Sequence, residues 1–461
     1  MTARVRFALI ALLLATLACR SLNQTWRPPS PSPAPPSDTP TRSPTLTALA
    51  ASATPRPSIT HPLATPTASP TVTPTLAPTA SPLQLQVFEE LWQTIRDEYL
   101  YPDYNGLDWD AIYTEYNQKV SAGLFEDDFY AAMEEMVGQL GDDHSVFLDP
   151  EAVKEEDAAF IGENNYVGIG ILTVAVPDRQ RITIILTFPG SPAEQAGLTT
   201  HDSILAVDGE PILDENGVRR DLLRGPAGTA LELTVYTPGL GLRQVGVIRR
   251  AITGSMPVPH HLLTSPAGKR VGYLLLTTFN DTTIAGQVEE ALHELAVEGP
   301  LDGLIIDNRH NTGGASSVFS AVLAFFANGT LGHFVDRDNL ESLHLSGKNV
   351  AGSQKIPLVV LVGKNTASFG EIFSGILQDI GRAYLIGETT EGNVEILYIY
   401  EFNDGSQAWI AHNTFRPLNH PEQDWEHTGI VPDQTVLSNW DEILPENDPA
   451  KQSALEYFDS K

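Results

Sequence analysis

Apolar residues recur along this chain at two different spacings, and the changes of spacing divide it. Between 83 and 140 the interval is three and four, with Phe88, Leu91, Trp92 and Ile95 on one face, so helices are predicted over Leu83 to Leu100, Trp109 to Val120 and Asp127 to Leu140. The helical stretch stops at the turn-like Gly141-Asp142-Asp143-His144-Ser145-Val146-Phe147. From about Tyr166 to Ala251 short β-rich runs take over, Ile182 to Leu186, Ser203 to Val207 and Leu231 to Tyr236, with one short helix near Pro192 to Ala196. From Arg270 strands and helices alternate: strand Val271 to Leu276, helix Ile284 to Val297, strand Leu304 to Asp307, helix Ser316 to Phe326, strand Leu358 to Val362, helix Phe369 to Ile380 and strand Ala383 to Ile386. That alternation argues for a layered α/β core with largely parallel strands. The boundaries drawn from this pattern are a helical domain over 83–155, a β-domain over 156–253, an α/β core over 254–445 and a C-terminal tail over 446–461.

The N-terminus follows a different rule. Arg4 and Arg6 precede the apolar run Phe7 to Leu14, then Leu17-Ala18-Cys19. The run is too short to span a bilayer comfortably and reads as an export signal over 1–19. Small residues before a cysteine resemble the bacterial lipobox, in which cleavage leaves a lipid-bearing cysteine. Cys19 is the only cysteine in the chain, so the exported domain holds itself without disulfides and Cys19 is available for lipidation. Residues 20–82 are dominated by Pro, Ser, Thr and Ala, with Trp26 as the only aromatic residue, and cannot build a core. In extended conformations this tether reaches on the order of 150–200 Å. The expectation is a protein anchored by lipid to the outer face of a bacterial cell membrane.

Charge narrows the partners. With 58 acidic against 28 basic residues the formal net charge is −30, and no basic run interrupts it in the folded part, which argues against nucleic acid. The chain has no His-Glu-x-x-His pattern and no phosphate-binding loop, so it implies no metal or nucleotide cofactor.

Two short motifs carry chemistry. Lys364-Asn365-Thr366-Ala367-Ser368-Phe369-Gly370-Glu371 sets Ser368 between an apolar strand and a helix whose Phe369, Ile372, Phe373, Ile376, Leu377 and Ile380 are spaced by three and four. A helix N-terminus offers free amides and a positive dipole end to a developing oxyanion. A serine there is also a common N-cap. Upstream, Leu304-Ile305-Ile306-Asp307 runs into Asn308-Arg309-His310-Asn311-Thr312-Gly313-Gly314, where two glycines permit close backbone approach.

The β-rich region resembles a PDZ domain through Tyr166-Val167-Gly168-Ile169-Gly170, then Gly190-Ser191-Pro192-Ala193-Glu194-Gln195-Ala196-Gly197-Leu198, then Asp202 to Gly209; His201 stands where that family usually has glycine. By this resemblance Gly168, Ile169 and Gly170 would offer amides to a peptide C-terminal carboxylate while the peptide adds as a strand. The span from about Leu83 to Asp433 resembles the C-terminal processing, or tail-specific, serine peptidases and their tricorn-core relatives. Its markers are Val271-Gly272-Tyr273-Leu274 with Phe279, the Gly303 to Gly314 run, the Thr366 to Glu371 motif and Gly387-Glu388-Thr389-Thr390-Glu391-Gly392. The resemblance implies a crotonase-like α/β core beside a PDZ domain, polypeptide substrates with accessible C-termini, and Ser368 as nucleophile.

One departure is chemical. The processing branch uses a lysine after the glycine of the last motif, and here Asn393 holds that place; an asparagine cannot take the proton of the serine. Lys364, at a strand end, is expected to be solvated. The tricorn-like branch uses instead a histidine ahead of the PDZ domain and a glutamate just before a Gly-x-x-Pro-Asp stretch. This chain has both, His144 and Glu426. The expected assignment is Ser368 as nucleophile, His144 as base and Glu426 as its orienting carboxylate, with amides of Phe369 and Gly313 or Gly314 at the oxyanion. His310 and His412 compete as bases and Glu391 as the carboxylate, and Asp143 replaces a serine of the tricorn pattern. The alternative reading is an inactive, PDZ-bearing peptide-binding scaffold, for which Asn393 is the motive.

Overall fold

The computed structural model describes residues 78–461 apart from 143, 162, 163 and 445. The export signal, Cys19, the tether up to residue 77 and Asp143 lie outside the described residues, and no helix among those described is long and apolar enough to cross a membrane.

Three helices open the described chain, Pro82–Glu98, Trp109–Ser121 and Glu126–Gly138. The first starts with proline after Ser81, whose hydroxyl accepts from the Gln84 amide, and the second is capped by Asp108. Their apolar faces do not close on one another alone. Phe88, Leu91, Trp92, Phe129 and Met133 pack with Trp409, Ile410 and Leu397 of a distant hairpin, Ile396–Glu401 and Gln407–Pro417. Strand Val146–Leu148, just beyond His144, pairs antiparallel with Gln407–Trp409. The helical segment therefore shares its core with the C-terminal half and is not an independent unit.

The predicted β-domain is a six-stranded sheet ordered Ile171–Val176, Arg181–Thr187, Ser203–Val207, Ala230–Thr237 and Gly241–Ile248, with the short Glu210–Pro211 beside Ser203–Val207. A two-stranded ladder of Asn164–Gly168 with Arg250–Gly254 closes its base where the chain enters and leaves. Ile182, Ile184, Ile204, Leu233 and Val235 form its private core.

The α/β core holds the predicted parallel strands in the order Arg270–Leu275, Gly303–Asp307, Leu358–Val362, Ala383–Gly387 and Gln434–Thr435, with His260–Thr264 antiparallel at one edge. Both faces are covered, which is why these strands read as unbroken apolar runs. Leu304 and Ile306 point to helices Ile284–Leu295, Ser316–Leu323 and Phe369–Asp379, while Ile305 points to the opposite face. That opposite face corrects one expectation. Residues 446–461 are not a tail: Pro449–Asp459 is a helix, capped by Asp448, that buries Ala450, Ala454 and Phe458 on the sheet. A Cβ on Gly303 would lie 2.7 Å from the Phe458 ring, so the seat is shaped for that side chain. The pattern Ala450-Ala454-Phe458 was readable at helical spacing; its weak apolarity hid it.

Trp440 joins the β-domain to the core. Its indole donates to the Ile184 carbonyl at 3.0 Å, its carbonyl meets His201 Nδ1 at 2.8 Å, and its ring packs against both His201 and His310, 4.3 and 4.4 Å between centroids. His201 takes a positive φ of 75°, the backbone shape for which glycine would be usual, and its ring fills the joint. Burial pulls the imidazoles of His201 and His310 down, to about 4 and about 3, so both are packed neutral.

For a depressed histidine the stabilisation is present above its unfolded value near 6.5 and is lost as pH falls, because the unfolded chain takes up the proton first. Relative to a His201→Asn variant, whose side chain tolerates the positive φ, the wild type is expected to lose up to about 1.4 kcal/mol per pH unit between pH 6 and pH 4. Parallel urea titrations across that window measure the difference; curves that stay parallel would contradict a neutral, buried His201.

Candidate active site

Ser368 stands at the N-cap position without capping. It precedes helix Phe369–Asp379 with φ 51° and ψ −130°, and its hydroxyl makes no capping bond to the helix. A non-glycine residue held there costs about 1–3 kcal/mol, so something must hold it. Two loops do. The Ser368 amide donates to the Asn393 carbonyl at 2.6 Å, and the preceding Ala367 amide donates to the Asn311 carbonyl at 3.0 Å.

The Asn308–Gly314 loop is locked to the serine helix from the other side. Asn308 Nδ2 donates to the Gly370 carbonyl and to Ser374 Oγ, both at 2.8 Å. Arg309 spans Asp307 and Asp448 with hydrogen bonds of 2.6 to 3.1 Å, a buried bidentate network that fixes the strand end. The two glycines are required by contact. A Cβ on Gly313, at φ 90°, would meet the Phe369 amide nitrogen at 2.7 Å, and one on Gly314 would lie 2.0 Å from the Phe279 backbone. Of the three predicted oxyanion donors, the Gly313 amide is already engaged, donating to Asn311 Oδ1 at 2.8 Å because the loop folds back on its own side chain. The amides of Phe369 and Gly314 have no acceptor among the described residues.

His144 is set by a local turn. Asp142 Oδ1 accepts from the amides of His144 and Ser145 at 3.1 and 2.7 Å, and Ser145 Oγ donates to Asp142 Oδ2 while accepting from Ala411 of the long strand. The imidazole is 2% exposed. Its Nε2 lies 3.7 Å from Glu426 Oε1, and Glu426 Oε2 accepts from the amides of Val394 and Glu395 at 2.6 and 3.1 Å. Burial works against a charged imidazole, but the Glu426, Glu395 and Asp142 carboxylates outweigh it and raise His144 to about 9.

The structure thus brings His144 and Glu426 together and joins both to Ser368 through residues 393–395. It sets the competitors elsewhere. His310 is buried against Trp440 with Nδ1 at 3.2 Å from Asn365 Nδ2, and His412 is occupied by Asn413 and Glu98. Lys364 and Glu391 are exposed. Two buried carboxylates beside these residues went unread in the sequence. Glu371 is fully buried and accepts from the Thr390 hydroxyl and from the amides of Gly392 and Asn393 at 2.9 and 2.8 Å. Glu395 is 3% exposed, with Tyr101 donating to one of its oxygens. A carboxylate inside the otherwise apolar run Val394 to Leu397 was the available signal.

In the β-domain Gly168, Ile169 and Gly170 are buried, the Ile169 and Gly170 carbonyls accepting from the amides of Ala193 and Phe188. They lead directly into Ile171–Val176, an edge strand whose far side has no strand partner among the described residues.

Comparison with known proteins agrees with this architecture. Residues 270–436 match the model of peptidase family S41, residues 84–138 that of the tricorn protease C1 domain, and residues 189–237 that of a PDZ domain. The chain is 31% identical over 373 residues to the carboxyl-terminal-processing protease of Synechocystis sp., covering 79% of this chain and 84% of the relative. It is 30% identical over 359 residues to carboxyl-terminal-processing peptidase 3, chloroplastic, of Arabidopsis thaliana, covering 75% and 67%. The solved photosystem II D1 C-terminal processing protease superposes with a TM-score of 0.54 at 25% identity, over 77% of this chain and 92% of that one. Fold and site define a serine peptidase carrying a PDZ domain. The chain belongs to peptidase family S41.

Gly313→Ala is expected to cut kcat/KM for cleavage of unfolded casein by about a hundredfold or more, since a Cβ there pushes on the Phe369 amide. Far-UV circular dichroism should be retained; undiminished turnover would place the reacting centre away from this loop.

Proposed function

We propose that this protein is a serine endopeptidase that takes polypeptides by their C-termini through the PDZ domain and cleaves them with Ser368, His144 and Glu426. The observation that carries the reading is the pairing of the buried His144 with the half-buried Glu426, joined by one loop to a serine held in a strained position without a capping bond. Ser368 Oγ attacks the scissile carbonyl. With Nε2 turned to Glu426, the other ring nitrogen, Nδ1, accepts the serine proton and returns it to the leaving amine; Glu426 stabilises the imidazolium in between. The amides of Phe369 and Gly314 bind the oxyanion at the positive end of the serine helix. The unpartnered edge of Ile171–Val176 supports capture by strand addition, with the Gly168–Gly170 turn at its carboxylate end. The layered parallel core is read as crotonase-like. The inactive-scaffold alternative is disfavoured: Asn393 replaces a lysine, yet a buried histidine and carboxylate stand beside the same loop.

Ser368→Ala and His144→Ala are each expected to lower kcat by about 10³-fold or more, and Glu426→Gln by about 10²–10⁴-fold, with KM little changed. Steady-state cleavage of unfolded casein by the full chain measures this. Undiminished turnover in His144→Ala would overturn the assignment of the base.

The same proposal places the protein on the outer face of a cell membrane through lipid on Cys19. Cys19→Ala should abolish labelling by a radioactive fatty acid and move the protein from the membrane to the soluble fraction; an unchanged membrane fraction would sink the anchor.

A further inference from the structure

His144 has a second carboxylate against it that the proposed reaction does not use. One ligating atom each from His144, Glu395 and Glu426 lies within 4.8 Å of the others, although the three residues come from remote parts of the chain. Two of these groups are more than nine-tenths buried and unsatisfied: His144 Nε2 and Glu395 Oε2 have no hydrogen-bond partner. A buried imidazole nitrogen and a buried carboxylate oxygen without hydrogen-bond partners are each costly, and a cation between them would satisfy both at once.

We propose that His144, Glu395 and Glu426 form a binding site for a divalent transition-metal ion, Zn²⁺ in the first place, and that the ion silences the peptidase. The donor set selects the metal. One imidazole and two carboxylates, held close and largely away from solvent, suit the tetrahedral Zn²⁺ ion with ligands at about 2.0–2.2 Å. Ca²⁺ wants six to eight oxygens and Mg²⁺ keeps an octahedron of oxygens and water, which this pocket does not supply. Two ligands of one tetrahedral zinc stand about 3.3–3.5 Å apart by those bond lengths, close to the 3.7 Å between His144 Nε2 and Glu426 Oε1. The supporting bonds are in place: Glu426 Oε2 is fixed by the Val394 and Glu395 amides, Glu395 Oε1 by the Tyr101 hydroxyl, and the His144 turn by Asp142. The charge also balances, since two carboxylates meet one dication.

Silencing follows from the chemistry of imidazole and rests, for this consequence alone, on the Ser368–His144–Glu426 reading. An ion on Nε2 leaves the single proton of the neutral ring on Nδ1, so neither nitrogen can accept from the serine. The three ligands are spread over residues 144, 395 and 426 and follow no motif spacing, so only the fold brings them together.

Titration calorimetry of the full chain carrying Ser368→Ala, which keeps all three ligands, should show one Zn²⁺ bound per chain, at least tenfold weaker when Glu395→Gln or His144→Ala is added, and no binding of Mg²⁺. Casein cleavage by the unmodified chain should stop over the same zinc range and return on adding EDTA, whereas the zinc concentration needed should rise at least tenfold for Glu395→Gln. Absence of binding, or binding equally tight in Glu395→Gln and His144→Ala, overturns the site. Zinc bound at these residues with cleavage untouched overturns the silencing. If Ser368→Ala still cleaves, the catalytic reading fails separately, and calorimetry on that chain still decides the metal site.

Discussion

The arrangement depends on one buried carboxylate. Glu371 sits in the first turn of the serine helix, fully inaccessible, and accepts from the Thr390 hydroxyl and the amides of Gly392 and Asn393. Burial pushes its carboxyl up to about 7, with the three hydrogen bonds acting in the opposite direction. Those bonds hold residues 390–393 against the helix, and Ser368, Glu426 and His144 are all attached to that stretch or its continuation. The Asn393 carbonyl receives the strained Ser368 amide, and the amides of Val394 and Glu395 fix Glu426 beside His144. At position 393 the structure uses the backbone. The side chain can therefore be asparagine instead of lysine without loosening the serine, provided the proton acceptor comes from elsewhere.

The proposed acceptor, His144, lies more than 220 residues upstream, which ties the helical region to the core instead of leaving it a free-standing domain. His144 is carried between the third helix and strand Val146–Leu148, and that strand is an edge of the sheet built on Gln407–Pro417. Packing of Phe88, Trp92 and Phe129 against Trp409 and Ile410 is thus what delivers the imidazole to Glu426. On the other side, Trp440 holds the PDZ domain to the strand end that leads into the Asn308–Gly314 loop, through Ile184, His201, Arg309 and His310. Arg181 and Arg179 add ion pairs to Asp441 at the same joint.

Most of the core was legible because its strands are buried on both faces and its helices are strongly amphipathic. Leu358–Val362 and Ser203–Val207 begin and end where periodicity puts them, and the core helices differ by three residues or fewer at their ends. The hairpins Gly329–Val335 with Leu340–Leu345 and Ile396–Glu401 with Gln407–Pro417 were not read, since their strands mix Thr, His, Glu and Tyr with the apolar residues. The final helix was hidden by its modest apolar face. Ser368 was singled out by its place between an apolar strand and an amphipathic helix, His144 and Glu426 by motif resemblance, and the two glycines by turn chemistry. Glu371 and Glu395 were not, because a buried carboxylate looks in sequence like any surface glutamate until its hydrogen-bond donors are known. Nor could spacing reveal that Asn311 occupies the Gly313 amide.

The central claim is that Ser368 and His144 act on the same substrate carbonyl. A peptide chloromethyl ketone tests it directly, because the serine adds to the ketone while the imidazole displaces chloride only if both reach one bound molecule. Peptide mapping of the treated full chain should find the alkyl group on His144, and Ser368→Ala should abolish it. Alkylation of another residue, or an unmodified His144 in protein whose casein cleavage the reagent has stopped, would contradict the account.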